Sequence, residues 1–356
     1  MAPKHRIIID TDPGVDDTLA LLLALSAHPD DLTIELISVT FGNVPVQTCL
    51  RNVVTLFHQI GREMAWRKSV GRSEGFEALR RERLPLVAVG AEGPLADQLV
   101  MADYFHGVDG LAAKDTETFL KAKDVIVMGG ALRCPGNVTP VAEFNTYADS
   151  MAAARIYALT SRYPRTTMPP VPPTRDGKVA SNHLGPYPDK LSRRLHTTTE
   201  HWLRRGVYNK TIKPFLDAGS PLAAWTNAFL TSTFNKMESL HEGHAGDGTG
   251  LSLHDPLCIW YLLTLCHSEY AMTLSEPQDL RVETSGQWTR GMYVLDRRDR
   301  FKKVVREEDM MEELDEVIGD AGRWLDGKSG NRILVAQGSG GKEVMGREML
   351  RWILET

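Results

Sequence analysis

The chain has 356 residues, 42% of them hydrophobic and 24% charged, the balance of an ordinary globular protein. That composition excludes a collagen-like chain, a membrane bundle and disorder throughout, and a formal net charge of −5 disfavours nucleic acid as a partner. Cys49, Cys134, Cys258 and Cys266 form no CxxC pair, so a reducing compartment is expected, without a disulfide scaffold or structural zinc.

Met1 to Arg6 runs directly into Ile7-Ile8-Ile9-Asp10 with no signal-peptide pattern. The longest apolar run, Leu19 to Leu25, is far below the roughly 20 residues that cross a bilayer. A soluble, cytoplasmic protein without a membrane partner is the expectation.

Ile7-Ile8-Ile9 reads as a strand buried on both faces of a parallel sheet. Pro13-Gly14 breaks it, and a helix starts near Asp16, whose carboxylate suits a helix N-terminus. Leu19 to Leu25 makes that helix apolar almost all round, so it should be buried. Ile34 to Val39 is the next strand and Gln47 to Ile60 the next helix, followed by two further buried strands, Leu86 to Val89 and Val125 to Met128. This alternation predicts βαβ units, hence an α/β fold with a mostly parallel central sheet and flanking helices.

The middle is less regular. Thr167 to Thr174 carries four prolines, which rules out a central strand there. From there to Lys213 the chain reads as loops with a helix or two, and His241 to Leu253 as a glycine-rich mobile loop. His254-Asp255-Pro256 opens a buried helix over Leu257 to Cys266. Arg281 to Asp296 reads as a β-hairpin, Glu307 to Leu325 as an amphipathic helix, and the tail ends in a short helix. With no repeat and no clear linker, residues 1–356 are expected to form a single domain, with an irregular insert at about 167–213 and the loop at about 241–253.

The strongest chemical signal is Asp10-Thr11-Asp12-Pro13-Gly14-Val15-Asp16-Asp17. Four carboxylates in eight residues sit where a strand gives way to a helix, the place where open α/β sheets bind ligands. Such a cluster raises its own pKa values unless a cation neutralises it, and hard oxygen donors suit calcium or magnesium. Capping a helix could account for Asp16 and Asp17 but not for Asp10 and Asp12. His254-Asp255 by itself is as consistent with a cap, and gains weight because the acidic cluster needs ligands from elsewhere. Asn43 ends a strand; Asn137, Glu143 and Asn145 offer two amides and a carboxylate suited to vicinal hydroxyls. Those asparagines also fit ordinary turns, as does the loop His106-Gly107-Val108-Asp109-Gly110.

Together these pieces resemble the inosine-uridine preferring nucleoside hydrolases (nucleoside N-ribohydrolases). The matching segments, in family order, are DTDPGVDD (10–17), TFGN (40–43), HGVDGL (106–111), VMGGA (127–131), GN (136–137), AEFN (142–145), HDP (254–256) and VETSGQWTRGMYVLD (282–296). The resemblance implies an open doubly wound, nucleoside hydrolase-like fold and calcium-dependent cleavage of the N-glycosidic bond of ribonucleosides. It implies Ca²⁺ held by Asp12, Asp17 and Asp255 with Asp10 in support, and Asp12 as general base toward a metal-activated water. Asp16, Asn43, Asn137, Glu143 and Asn145 would grip the ribose hydroxyls through an oxocarbenium-like transition state. His254, the preferred acid, or His106 would protonate or hydrogen-bond the leaving base. By resemblance the partner is a small-molecule nucleoside, the protein a homo-oligomer, and the setting nucleoside catabolism or purine salvage.

Two segments depart from the family pattern. Between Gly110 and Val125 the family carries a strand–helix segment with a Gly-Pro-Leu-Thr-Asn-like turn that gives a carbonyl to calcium; here only Leu111 to Asp124 fills the gap. Where the family has a strand ending in Leu-Asp-Val-Thr, this chain has the proline-rich 167–174. These departures motivate a second reading, a family member that binds nucleoside or sugar without turnover. A third takes Asp10-Thr11-Asp12 as the start of a haloacid-dehalogenase-like phosphatase, and leaves Asp16, Asp17 and Asp255 without a role.

Overall fold

The computed structural model describes residues 4–79, 84–95, 122–169, 201–240, 246–302, 318–339, 341 and 344–355, together with the backbone of 192–196. The path opens with β1 (His5–Thr11), α1 (Val15–Ser26), β2 (Leu32–Val39), α2 (Val46–Ser69), β3 (Leu86–Val89) and β4 (Asp124–Met128). It continues through α3 (Phe144–Ala148), α4 (Ser150–Leu159), β5 (Ser192–His196), β6 (Trp202–Arg204), α5 (Arg205–Asp217) and α6 (Pro221–Leu240). The last elements are β7 (Gly250–Ser252), α7 (His254–Leu263), β8 (Met272–Leu274), β9 (Leu280–Val282), β10 (Tyr293–Leu295), β11 (Leu334–Ser339) and α8 (Met345–Glu355). Strands and helices alternate as an α/β fold requires. Among the described residues no helix is long and apolar enough to cross a membrane.

Two compact units emerge. The first comprises Met1–Glu92, Thr199–Met272 and Gly338–Thr356. Its sheet runs β1-β2-β3, all parallel. Leu19, Leu21, Leu22, Leu23 and Leu25 of α1 are each at most 1% exposed, and α1 packs on α7 and α8. At roughly 1.5–3 kcal/mol per buried leucine, packing holds α1 in place far more than its N-cap, Gly14, which has no side chain to cap with. The expectation of strands buried on both faces holds only in part. Ile8 is 54% and Leu86 64% exposed, with Val87 and Val89 exposed beside Leu86; among the described residues β1 and β3 are the two outer strands of this sheet. A short apolar run identifies a strand without saying how many of its faces are covered.

A buried ion pair ties three helices of this unit together. Arg67 Nε donates to Glu63 Oε1 at 2.8 Å, and neither side chain is exposed. Arg67 Nη2 also donates to the carbonyls of Ile353 and Leu354, both at 3.1 Å, satisfying the C-terminal end of α8. Glu63 Oε2 accepts from Ser220 Oγ at 2.7 Å and Leu222 N at 3.1 Å, capping the N-terminus of α6. Two charges taken from water are tolerable here because each is also hydrogen-bonded to a helix end.

The second unit comprises Gly93–Thr198 and Thr273–Gln337. A four-stranded sheet in the order β4-β5-β11-β8 runs through it, with β5 parallel to β4 and to β11. Its core gathers Leu132, Tyr157, Leu280, Tyr293, Ile333 and Val335. The expected hairpin is present: β9 and β10 pair antiparallel, Val282 opposite Tyr293. β4, expected to be buried, is only half-covered.

Three further expectations change. The end of the supposed mobile loop 241–253 is β7, paired antiparallel with β6, while 241–245 lie outside the described residues. Residues 318–325 form turns instead of the end of a helix, and 307–317 lie outside the described residues. Both differences have one cause: three-residue strands and turns leave no periodic signal. Of the proline-rich stretch, 167–169 are not in a strand, and 170–174 are outside the described residues.

Arg67→Met should destabilise the protein by about 3–5 kcal/mol, because Glu63 would keep a buried charge without its partner. The double variant Glu63→Met/Arg67→Met should lose less than Arg67→Met alone. Urea midpoints of the three proteins, compared at equal m-value, measure both differences.

Candidate active site

β1 ends at Thr11, and Pro13, with φ fixed and no N–H to donate, stops the strand from continuing. Asp12 therefore stands at the strand's C-terminal end, while Asp16 and Asp17 occupy the first turn of α1, where the helix dipole favours negative charge. Asp17 is buried and accepts three hydrogen bonds. Thr11 Oγ1 donates at 2.6 Å, the Gly14 N–H at 3.2 Å and Asn43 Nδ2 at 2.9 Å.

Asp12 is held from the next βα loop. Its Oδ2 accepts from the Asn43 N–H at 2.6 Å, and its carbonyl accepts from Asn43 Nδ2 at 3.1 Å. The preceding residue must be glycine for this approach, since a Cβ at position 42 would overlap the Asp12 carboxylate. Asp10, on the exposed side of β1, takes a hydrogen bond from the Ser38 side chain.

The fourth strand-end partner comes from far along the chain. His254 and Asp255 open α7, and the packing of α7 on α1 carries Asp255 to the acidic turn. One carboxylate oxygen each from Asp16, Asp17 and Asp255 lies within 4.8 Å of the other two. The Asp255 carboxyl therefore stands against those of both Asp16 and Asp17. Burial, then the charges of Asp16 and Asp17, holds Asp255 well above the usual carboxylate range. Burial and the Asp17 charge likewise raise Asp16, against which a charge on His254 acts in the opposite sense. Asp12 is pushed up to about 7, first by burial and then by Asp17. Three converging hard oxygen donors, two of them raised by burial and by neighbouring negative charge, are the donor set a divalent cation would satisfy.

The structure thus brings together Asp12, Asp16, Asp17, Asn43, His254 and Asp255 in the first unit. Within the metal-sized group it substitutes Asp16 for the expected Asp12. Asn43, expected at a sugar hydroxyl, has its amide on Asp12 and Asp17. His106 lies outside the described residues.

Asn137, Glu143 and Asn145 belong to the second unit. Glu143 is buried and caps α3, accepting from the N–H groups of Asn145 at 2.8 Å and Thr146 at 3.3 Å. Its Oε2 also accepts from Gly130 N at 2.7 Å. Gly130 has φ +78° and faces the Tyr293 ring where a Cβ would stand, so only glycine serves there. Asn137 Oδ1 accepts from Phe144 N at 2.8 Å, and Asn145 Nδ2 approaches Met128 Sδ at 3.8 Å.

Sequence reasoning missed Thr11, Gly42 and Asn52. Asn52 Nδ2 donates to the Pro13 carbonyl at 2.8 Å. The available signal was an asparagine inside α2, where it is a poor helix former with a polar group to satisfy.

The model of the family described as inosine-uridine preferring nucleoside hydrolase matches residues 7–122 and 111–316. The two overlapping stretches meet where the sequence is shorter than the family pattern. A pyrimidine-specific ribonucleoside hydrolase, RihA, of Salmonella paratyphi B is 26% identical over 336 residues, covering 82% of this chain and 88% of its own. An uncharacterised Schizosaccharomyces pombe protein is 26% identical over 330 residues, covering 82% and 89%. Among solved structures, the plant nucleoside hydrolase PpNRh1 superposes with a TM-score of 0.57 at 18% identity, over 99% of this chain and 100% of that one. A purine-preferring ribonucleoside hydrolase of Gardnerella vaginalis gives 0.55 at 17% identity over 98% of both chains. At these identities the structural likeness speaks for the fold.

Protons held by the raised carboxylates set a pH dependence. The unfolded chain releases them near 3.8, whereas folded Asp12 holds its proton to about 7. Across that window the native state binds more protons than the unfolded one, so metal-free stability should fall as pH rises. Thermal unfolding in chelator at pH 5 and pH 8 measures this, and added calcium should raise Tm more at pH 8. A Tm gain independent of pH would mean that Asp12, Asp16 and Asp255 are not raised in the metal-free fold.

Proposed function

This chain belongs to the inosine-uridine preferring nucleoside hydrolase family and is an N-glycosyl hydrolase of ribonucleosides; from that premise we propose a calcium-dependent hydrolase whose working groups are Asp12, Asp16, Asp17, His254 and Asp255. The convergence of Asp16, Asp17 and Asp255 carries the reading. Asp17 and Asp255, with Asp12, would hold the ion, and Asp10 would support them from β1. When bound, calcium would supply positive charge that offsets the clustered carboxylates and lowers the pKa of water beside it.

The remaining chemistry belongs to the side chains. Asp12, held at Oδ2 by the Asn43 N–H, takes a proton from the water that attacks the anomeric carbon. As the water oxygen bonds to that carbon, the bond to the base nitrogen breaks. His254, at the mouth of α7, delivers the proton the leaving base needs. Asp16, in the first turn of α1, would accept from the vicinal ribose hydroxyls. The clustered negative charge stabilises an oxocarbenium-like transition state. The sugar-binding role of Asn137, Glu143 and Asn145 is part of the same proposal and rests on motif alone, since Glu143 already caps α3. A cytoplasmic homo-oligomer is expected on the same basis. A phosphatase built on Asp10 leaves Asp17 and Asp255 idle and is not pursued.

Purified full-length protein incubated with inosine or uridine should release reducing sugar with added calcium and lose that activity in chelator. Asp12→Ala should lower kcat by about 10²–10⁴-fold, the usual contribution of a positioned base. No release from folded wild-type protein with calcium and a panel of purine and pyrimidine ribonucleosides would overturn the proposal.

A further inference from the structure

Two consecutive carbonyls in the strand-to-helix link are gripped by asparagine amides from one neighbouring βα unit. Asn43, at the end of β2, holds the carbonyl of Asp12. Asn52, in the second turn of α2, holds the carbonyl of Pro13 at 2.8 Å. The first grip also touches carboxylates directly, because Asn43 reaches Asp12 Oδ2 and Asp17 Oδ2. The second touches none.

Its effect passes through a rigid plane. The Pro13–Gly14 peptide is trans, so its C=O and N–H point to opposite sides and turn together. Asn52 fixes the C=O, and the Gly14 N–H on the other side donates to Asp17 Oδ2 at 3.2 Å. Pro13 is buried and precedes the helix, so its carbonyl has no place in the α1 ladder and needs a partner from elsewhere. Without Asn52 the plane can rotate toward another donor, and the same rotation withdraws the Gly14 N–H from Asp17. The strand-side carboxylate Asp12 and the helix-side carboxylates Asp16 and Asp17 are separated by this link, so its rotation also changes the distance between them.

We propose that Asn52 is a positioning residue for the calcium site, acting through the Pro13–Gly14 peptide to set the orientation of Asp17. The inference rests on the calcium reading above. The Asn52 amide is spent on the Pro13 carbonyl, and its influence is on how well the carboxylates are arranged before an ion arrives. Outer groups of this kind commonly change metal affinity 10–100-fold.

The test uses full-length protein stripped of metal by chelator, with calcium binding followed by titration calorimetry. Asn52→Leu keeps the branched side-chain skeleton and removes the donor; Asn52→Ala removes both, so one informs if the other fails to fold. Both should weaken calcium Kd by about tenfold or more, with half-maximal activity shifted to higher calcium by the same factor. Activity at saturating calcium should recover most of the wild-type kcat. A purely structural role would lower Tm in chelator and leave Kd within about twofold, and that result overturns the inference alone. Wild-type protein that binds no calcium would overturn both the inference and the calcium reading.

Discussion

Repulsion among carboxylates at one strand-to-helix junction is the constraint around which the first unit is arranged. Asp12, Asp16, Asp17 and Asp255 are drawn together from two distant stretches of chain, and burial withholds the water that would screen them. Left alone, such a cluster relaxes by spreading apart or by taking up protons. The fold prevents the first and favours the second: α1 is packed on all sides by apolar contacts, and burial with the neighbouring acidic charges raises Asp255 and Asp16. A site that holds its anions in place against their repulsion is one that binds a cation without first having to assemble.

That resistance has identifiable sources. Asp17 is held by three donors of three kinds, a hydroxyl, a peptide N–H and a side-chain amide, which fix its orientation. Behind it the leucine run of α1 anchors the helix, and α2 in turn is fixed by the Glu63–Arg67 pair to the ends of α6 and α8. The amides that shape the acidic link, Asn43 and Asn52, lie just before and within α2. An ion pair in the core of the unit and a pair of asparagines at its edge therefore act on the same object, the placement of α2 against the β1–α1 turn.

How much of this could be read beforehand follows from how each feature is encoded. β1, α1 and β2 were legible because their apolar residues are local and periodic, and the acidic turn because Asp-Pro-Gly announces a break in a dense run of charge. Asp255 was legible only through likeness to a family, since nothing local distinguishes a helix-capping aspartate from a ligand 238 residues after Asp17. The Glu63–Arg67 pair was invisible: an i,i+4 pair on a helix looks like an ordinary solvated face, and only tertiary packing decides that this one is buried. β7 and β11 escaped for a related reason, since their partners β6, β5 and β8 are remote in sequence and their own residues carry little pattern. Glu143 was read for its charge, whereas its position one residue before a short helix makes it a cap.

The difference between the expected metal set and the observed cluster has a physical explanation. Family likeness names Asp12, Asp17 and Asp255, while the geometry groups Asp16 with Asp17 and Asp255. Burial and the Asp17 charge raise both Asp16 and Asp255, so without a cation the cluster favours protonated carboxyls. A divalent ion would draw oxygens from several directions at once and so would compete with a proton for Asp255. Asp12 stands on the strand side of the same turn, joined to Asp17 through Asn43. On the calcium proposal, exchanging proton for cation would free Asp16 for sugar hydroxyls and bring Asp12 into the metal set. The two sets would then describe a single site in two states of charge.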